Sequence, residues 1–272
     1  MLEALSVHDN SYFSEIVIEL EFENRPPFKL RLDGVKSLSI MIGQNGVGKT
    51  MALICTWFMG NALTAYQSSL ILGSKEELYI KTLNDIISMT FDDYETMSGF
   101  LIMNGPQVGG YEFILRIENG EVVDHDLDFV DVDQFKTTGF SPFKFLSSSA
   151  RLFTDYKQYQ ATKKMIGVGQ LKTMDDIKKL GTAFKMYDIL WYEDIEAKMR
   201  KWQEHGISDY AKSIITDFHT NWPSDHDEFG PNPTLEIVDA IPWIKSDTVH
   251  KKLSAFGNGH QSVLMMTLFI KN

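Results

Sequence analysis

Residues Gly43-Gln44-Asn45-Gly46-Val47-Gly48-Lys49-Thr50 spell G-x-x-x-x-G-K-[ST], and they constrain this chain of 272 residues more than any other stretch. The pattern demands a strand that ends where it begins and a helix that starts where it ends. The apolar run Leu38-Ser39-Ile40-Met41-Ile42 supplies the first, and the helix-like run Met51 to Met59 supplies the second. Each position has a physical task. The glycines let backbone N–H groups close around phosphate oxygens without a Cβ in the way. The positive end of the helix dipole faces the same anion. Lys49 neutralises the outer phosphates and is the candidate catalytic residue, while the Thr50 hydroxyl is suited to ligating Mg²⁺. The expected site for nucleotide phosphates is therefore Gly43, Gln44, Asn45, Gly46, Val47, Gly48, Lys49 and Thr50.

The flanking sequence predicts mixed α and β structure. Ile16, Ile18, Leu20 and Phe22 alternate with polar residues, as in a half-buried strand, and Phe28 to Leu32 alternates again. Asp85 to Phe91 and Gly99 to Met103 read as two further strands. Tyr111 to Ile117 alternates and runs into Asn119-Gly120, a hairpin turn signal. Phe143 to Ser147 reads as a short strand. Ile177, Leu180, Phe184, Tyr187, Trp191, Ile195, Met199 and Trp202 form a helical stripe ended by Gly206, and Ile207 to Phe218 a second. Thr234 to Val238 reads as a strand, and Ser262 to Ile270 as a helix.

The Asn-Gly pair inside the loop resembles the G-x-N-G-x-G-K-[ST] form of ABC-type ATPases of the SMC, RecF and OLD groups. Near the C-terminus, Leu253-Ser254-Ala255-Phe256-Gly257-Asn258-Gly259-His260-Gln261 resembles a degenerate ABC signature before an apolar helix. Either Leu253-Ser254 or Gly257-Asn258-Gly259 aligns with that signature, so Ser254, Asn258 and Gly259 are all candidate nucleotide contacts. The resemblance implies an α/β fold: a P-loop NTPase with an ABC-type mixed sheet, an antiparallel β-meander and a helical insertion. It implies one domain over residues 1–272, with a P-loop lobe and meander at 1–150, the insertion at 151–232, and the strand and signature-like segment at 233–272. It implies ATP and Mg²⁺ as cofactors, and a homodimer or higher homo-oligomer closed through a nucleotide sandwich. The output would be a conformational change passed to a protein effector in a DNA-repair or phage–host defence complex. Nucleic acid is a further possible partner.

One departure bears on turnover. The family's Walker B strand, four apolar residues and then Asp-Glu, follows the signature helix, yet the sequence runs only to Asn272. The segment Ile189-Leu190-Trp191-Tyr192-Glu193-Asp194 precedes the signature and reads as helix. Hydrolysis of ATP is therefore expected only with those residues supplied beyond Asn272 or in trans. The alternative is a nucleotide-binding regulatory or structural subunit without turnover of its own. A kinase or GTPase reading lacks an N-K-x-D guanine reader and clustered lid arginines.

The net charge of −11 argues against a protein that coats nucleic acid over its whole surface, and leaves room for a local basic patch. Lys157, Lys163, Lys164, Lys172, Lys178 and Lys179 read as a solvated helix face. The single cysteine, Cys55, lies in an apolar helix and reads as buried filler. No stretch approaches the roughly 20 apolar residues of a membrane span, and the N-terminus lacks a signal-peptide pattern. A cytoplasmic protein without a membrane partner is expected.

Overall fold

Ile16, Ile18 and Leu20 place three fully buried side chains on one face of strand β1 (Glu15–Glu21). That is the outcome alternation demands of a strand with one face on a core. The computed structural model describes residues 13–33, 48–73, 75–105, 110–129, 152–221, 229–239 and 241–270. They belong to two units, Met1–Phe145 and Leu146–Asn272.

In the first unit β1 pairs on one side with β2 (Phe28–Asp33) and on the other with β3 (Ser98–Asn104). Then follow β4 (Tyr111–Glu118) and β5 (Glu121–Phe129), giving the order β2-β1-β3-β4-β5. Asn119 and Gly120 both take positive φ, 50° and 79°, in the turn between β4 and β5. That is the primed two-residue turn the Asn-Gly pair predicts. Register aligns Ile16 with Met103 and Met103 with Phe113, and Ile18 with Leu101 and Leu101 with Leu115. All six are fully buried. Helix α1 (Lys49–Leu72) packs over β1 and β3, and α2 (Glu76–Thr90) over β5. Trp57, Phe58, Met59 and Leu63 of α1 are buried, each stabilising the fold by about 2 kcal/mol or more.

The strand expected at Asp85–Phe91 is instead the second half of α2. Tyr79, Leu83, Ile86, Ile87 and Thr90 are buried at helical spacing, and Glu76 and Glu77 sit in the first turn, where the dipole favours acids. The β-branched pair Ile86-Ile87 imitates a strand in a short window; the full 15 residues do not.

The second unit begins with α3 (Leu152–Ile166), the short α4 (Met174–Lys178), α5 (Met186–His205) and α6 (Asp209–Asn221). Strands β6 (Thr234–Val238), β7 (Ile241–Lys245) and β8 (His250–Lys252) form a meander, and α7 (Asn258–Ile270) packs against α3, α5 and α6. Leu235, Pro242 and Ile244 bury one face of this sheet. Strands β7 and β8 were not expected from the sequence. Among the described residues no helix is long and apolar enough to cross a membrane.

Every strand pairing in both described sheets is antiparallel. This corrects the fold class. The protein is an α/β fold of two antiparallel meanders with helices, and the parallel core sheet of an ABC-type P-loop NTPase is not found among the described residues. The resemblance to SMC, RecF and OLD ATPases is overturned with it. So is the function it implied, an ATPase dimerising around MgATP in a DNA-repair or defence complex. The physical sign lies in the strands themselves. Parallel strands covered on both faces read as continuous apolar runs, whereas β1, β2 and β4 alternate. The continuous run Leu38–Ile42 and the strand expected at 143–147 lie outside the described residues.

Candidate functional site

Of the loop residues, Gly43 to Val47 lie outside the described residues; Gly48, Lys49 and Thr50 are described. Gly48 is the N-cap of α1, in the left-handed region at φ 90° and ψ 12°. The carbonyl of Gly48 accepts the first helical hydrogen bond, from the Ala52 N–H at 2.9 Å. A non-glycine residue pays about 1–2 kcal/mol for that conformation. Among the described residues no side chain caps the helix, and no acid stands in its first turn. A helix start leaves its leading N–H groups without intrahelical acceptors. Here neither a capping oxygen nor a carboxylate of the first turn offsets the positive end of a 24-residue helix. Lys49 is half-buried and Thr50 exposed.

The sequence reading missed the residue that seats this helix start. A Cβ on Gly48 would stand 2.3 Å from Cε2 of Phe28, so the glycine lies directly against the aromatic ring. Phe28 projects from edge strand β2 on the same face as Ile16, Ile18 and Leu20, through its pairing with Leu20. The alternation of Phe28-Lys29-Leu30-Arg31-Leu32 was the available signal, since it assigns Phe28 to the inner face. Gly48 is thus required twice, by its φ and by its neighbour. Two turns on, Cys55 is fully buried, and burial pushes its thiol up to about 12, against a weaker pull from Arg25. Its thiol is inert filler, as expected.

The other candidates belong to the second unit. Ser254 lies in a single 3₁₀ turn, Leu253–Ala255, and Asn258 is the first residue of α7. The backbone N–H of Gln261 donates to the Gly257 carbonyl at 3.1 Å, so Gly257 caps that helix. The Gln261 side chain is buried and donates to the carbonyls of Phe256 and, at 3.4 Å, Ser254. Phe229 packs edge-on against Phe256 at 4.9 Å and against His260 at 5.7 Å. This segment is held by its own glutamine and aromatic residues. A Cβ on Gly259 would meet nothing within 4 Å, and one on Gly257 only His260 Nδ1 at 3.6 Å. Neither glycine shows the crowding found at Gly48.

Glu193, in the segment that imitates Walker B, lies in α5, as the helical reading required. It pairs with Lys163 and accepts a hydrogen bond from the Tyr159 hydroxyl. Lys163 also meets Glu196 at 2.9 Å, and Glu196 pairs with Arg200. Burial favours the neutral form of Glu196, but hydrogen bonds from Lys163 and Arg200 outweigh it and hold the carboxyl below its ordinary range. Lys163 is therefore no part of a solvated face. Its side chain is only 7% exposed and ties α3 to α5.

No protein-family model matches the chain, and no curated protein matches it.

Proposed function

We propose that the start of α1 is an anion site for a phosphate-bearing ligand. The observation that carries this reading is Gly48: left-handed, pressed against Phe28, and opening a long helix with no side-chain cap and no acid in its first turn. The residues fit such a group. The leading N–H groups of α1 supply backbone donors, Lys49 the countercharge, and Thr50 a hydroxyl for a magnesium ion that arrives with the phosphates. A bound phosphate group would supply a concentrated negative charge to the helix terminus. The chain's own part is to bind and orient that charge. The reading is one of ligand binding and includes no turnover. It includes a cytoplasmic setting, supported by the single, buried cysteine.

The test is equilibrium binding of a fluorescent ATP analogue to the full chain, with and without Mg²⁺. Lys49→Ala is expected to weaken binding at least tenfold, and Thr50→Ala to remove most of the magnesium dependence. Absence of binding by the unaltered protein, or equal binding by Lys49→Ala, sinks the proposal.

A further inference from the structure

The acidic excess is distributed unevenly. Met1–Phe145 carries the whole net charge of −11, and Leu146–Asn272 is balanced. Within the second unit the stretch from Thr248 to Asn272 contains no Asp or Glu. Strand β8, His250-Lys251-Lys252, lies in that stretch at the edge of the β6-β7-β8 sheet, and all three residues are exposed.

Register shows what the open face of this sheet presents. Trp243 pairs with Lys252, Lys245 with His250, and Glu236 with Trp243, so these five residues share the face opposite the buried Leu235, Pro242 and Ile244. Trp243 lies at its centre. Lys252 Nζ stands 5.3 Å from its ring, and the His250 ring lies 4.9 Å away. The indole N–H of Trp243 has no acceptor. Partial burial, and then the charge of Lys252, make Lys157 of α3 less basic. Two lysines from separate elements are thus held within electrostatic reach of each other. One carboxylate tempers the face, Glu236, which meets His250 at 3.0 Å and Lys245 at 3.9 Å.

We propose that the open face of the β6-β7-β8 sheet binds single-stranded nucleic acid through Lys245 and Lys252 around Trp243. A sheet face with a central aromatic ring and flanking cations is the surface on which unpaired bases stack while their phosphates meet lysines. Five residues of strand at ~3.3 Å each span about 17 Å, room for three or four nucleotides. Two lysine contacts predict a salt slope of about −1.4 for a single strand. The interaction is accordingly modest, and weakens with salt.

The experiment is fluorescence anisotropy of a labelled oligonucleotide of ~20 residues, RNA and DNA in parallel, titrated with the full chain from ~50 to ~200 mM salt. The expected result is weak binding with a slope near −1.4, lowered by about 0.7 in Lys252→Ala and again in Lys245→Ala. Lys245→Glu/Lys252→Glu should lose at least tenfold in affinity, with circular dichroism confirming that it folds. Trp243→Phe should keep more binding than Trp243→Leu. Lys49→Ala should bind the oligonucleotide normally, which separates this site from the anion site at α1. Failure to bind at low salt, an unchanged double variant, or stronger capture by anionic lipid vesicles than by oligonucleotide overturns the proposal.

Discussion

Replacing Asp188 by Asn should make the protein more stable at neutral pH, although it removes an acid from the first turn of a helix. Asp188 follows the start of α5, where the dipole and the backbone N–H and charge of Lys185 all favour a carboxylate. Burial and the neighbouring Asp155 act the other way and prevail, raising Asp188 from 3.8 to about 6. A folded-state value above the unfolded one means that the folded chain binds more protons between pH ~4 and ~6. Stability from this group is therefore gained as pH falls through 6 towards 3.8, and the full penalty stands above 6. The shift corresponds to about 3 kcal/mol, and solvent screening of a half-buried side chain brings the expected effect to about 1–2 kcal/mol. Asn keeps an oxygen for the Lys185 N–H and abolishes the charge. The assay is urea denaturation followed by tryptophan fluorescence at about pH 7.5 and pH 4. The variant should gain about 1–2 kcal/mol at the higher pH and nothing at the lower. A variant that is equal or less stable at neutral pH, or a gain that persists in acid, refutes the reasoning.

Gly48→Ala should cost about 2–4 kcal/mol, from the left-handed backbone and the Phe28 clash together, whereas Gly259→Ala should be near neutral or slightly stabilising; thermal melts of both decide it. Trimming the ring in Gly48→Ala/Phe28→Ala should recover part of that loss relative to the sum of the single changes, measured as a double-mutant cycle. Lys163→Ala should destabilise by about 3 kcal/mol because it strands Glu193 without its cation and leaves Glu196 with Arg200 alone, while Lys179→Ala, at an exposed pair with Asp176, should leave the melting temperature unchanged. Glu196 has the opposite sign to Asp188. Its lowered value contributes stability above the unfolded value that is lost as pH falls through the folded one, so Glu196→Gln should flatten the acid limb of a stability–pH curve.

Much of the local structure was legible in the residues. Alternation located β1, β2, β4 and β6, Asn119-Gly120 marked its turn, and the stripe ending at Gly206 marked α5. Strands β7 and β8 escaped because Pro242 interrupts the first and the second has only three residues, all exposed. Helix α2 was taken for a strand because Ile86-Ile87 carries strand propensity while the helix is defined by packing over its whole length. The larger error came from letting eight residues stand for a topology. A glycine-rich helix start expresses a local need, close approach of backbone to an anion, and Gly48 meets that need beside an antiparallel sheet. Sheet direction is decided by how strands connect and cover one another, which no octapeptide encodes. Phe28 could be assigned to the inner face but not to its contact with Gly48, because that contact joins residues twenty positions apart through tertiary packing.

The contact between Gly48 and Phe28 also gives the protein a gauge. Among the described residues, Phe28 is at the end of an edge strand held on one side, by β1. Any pull on the helix start is transmitted through the ring to a ladder with little to spare. Amide hydrogen exchange along Phe28–Asp33 should therefore register what happens at Gly48, and a probe placed on the outer face of β2 would report occupancy without touching the loop itself.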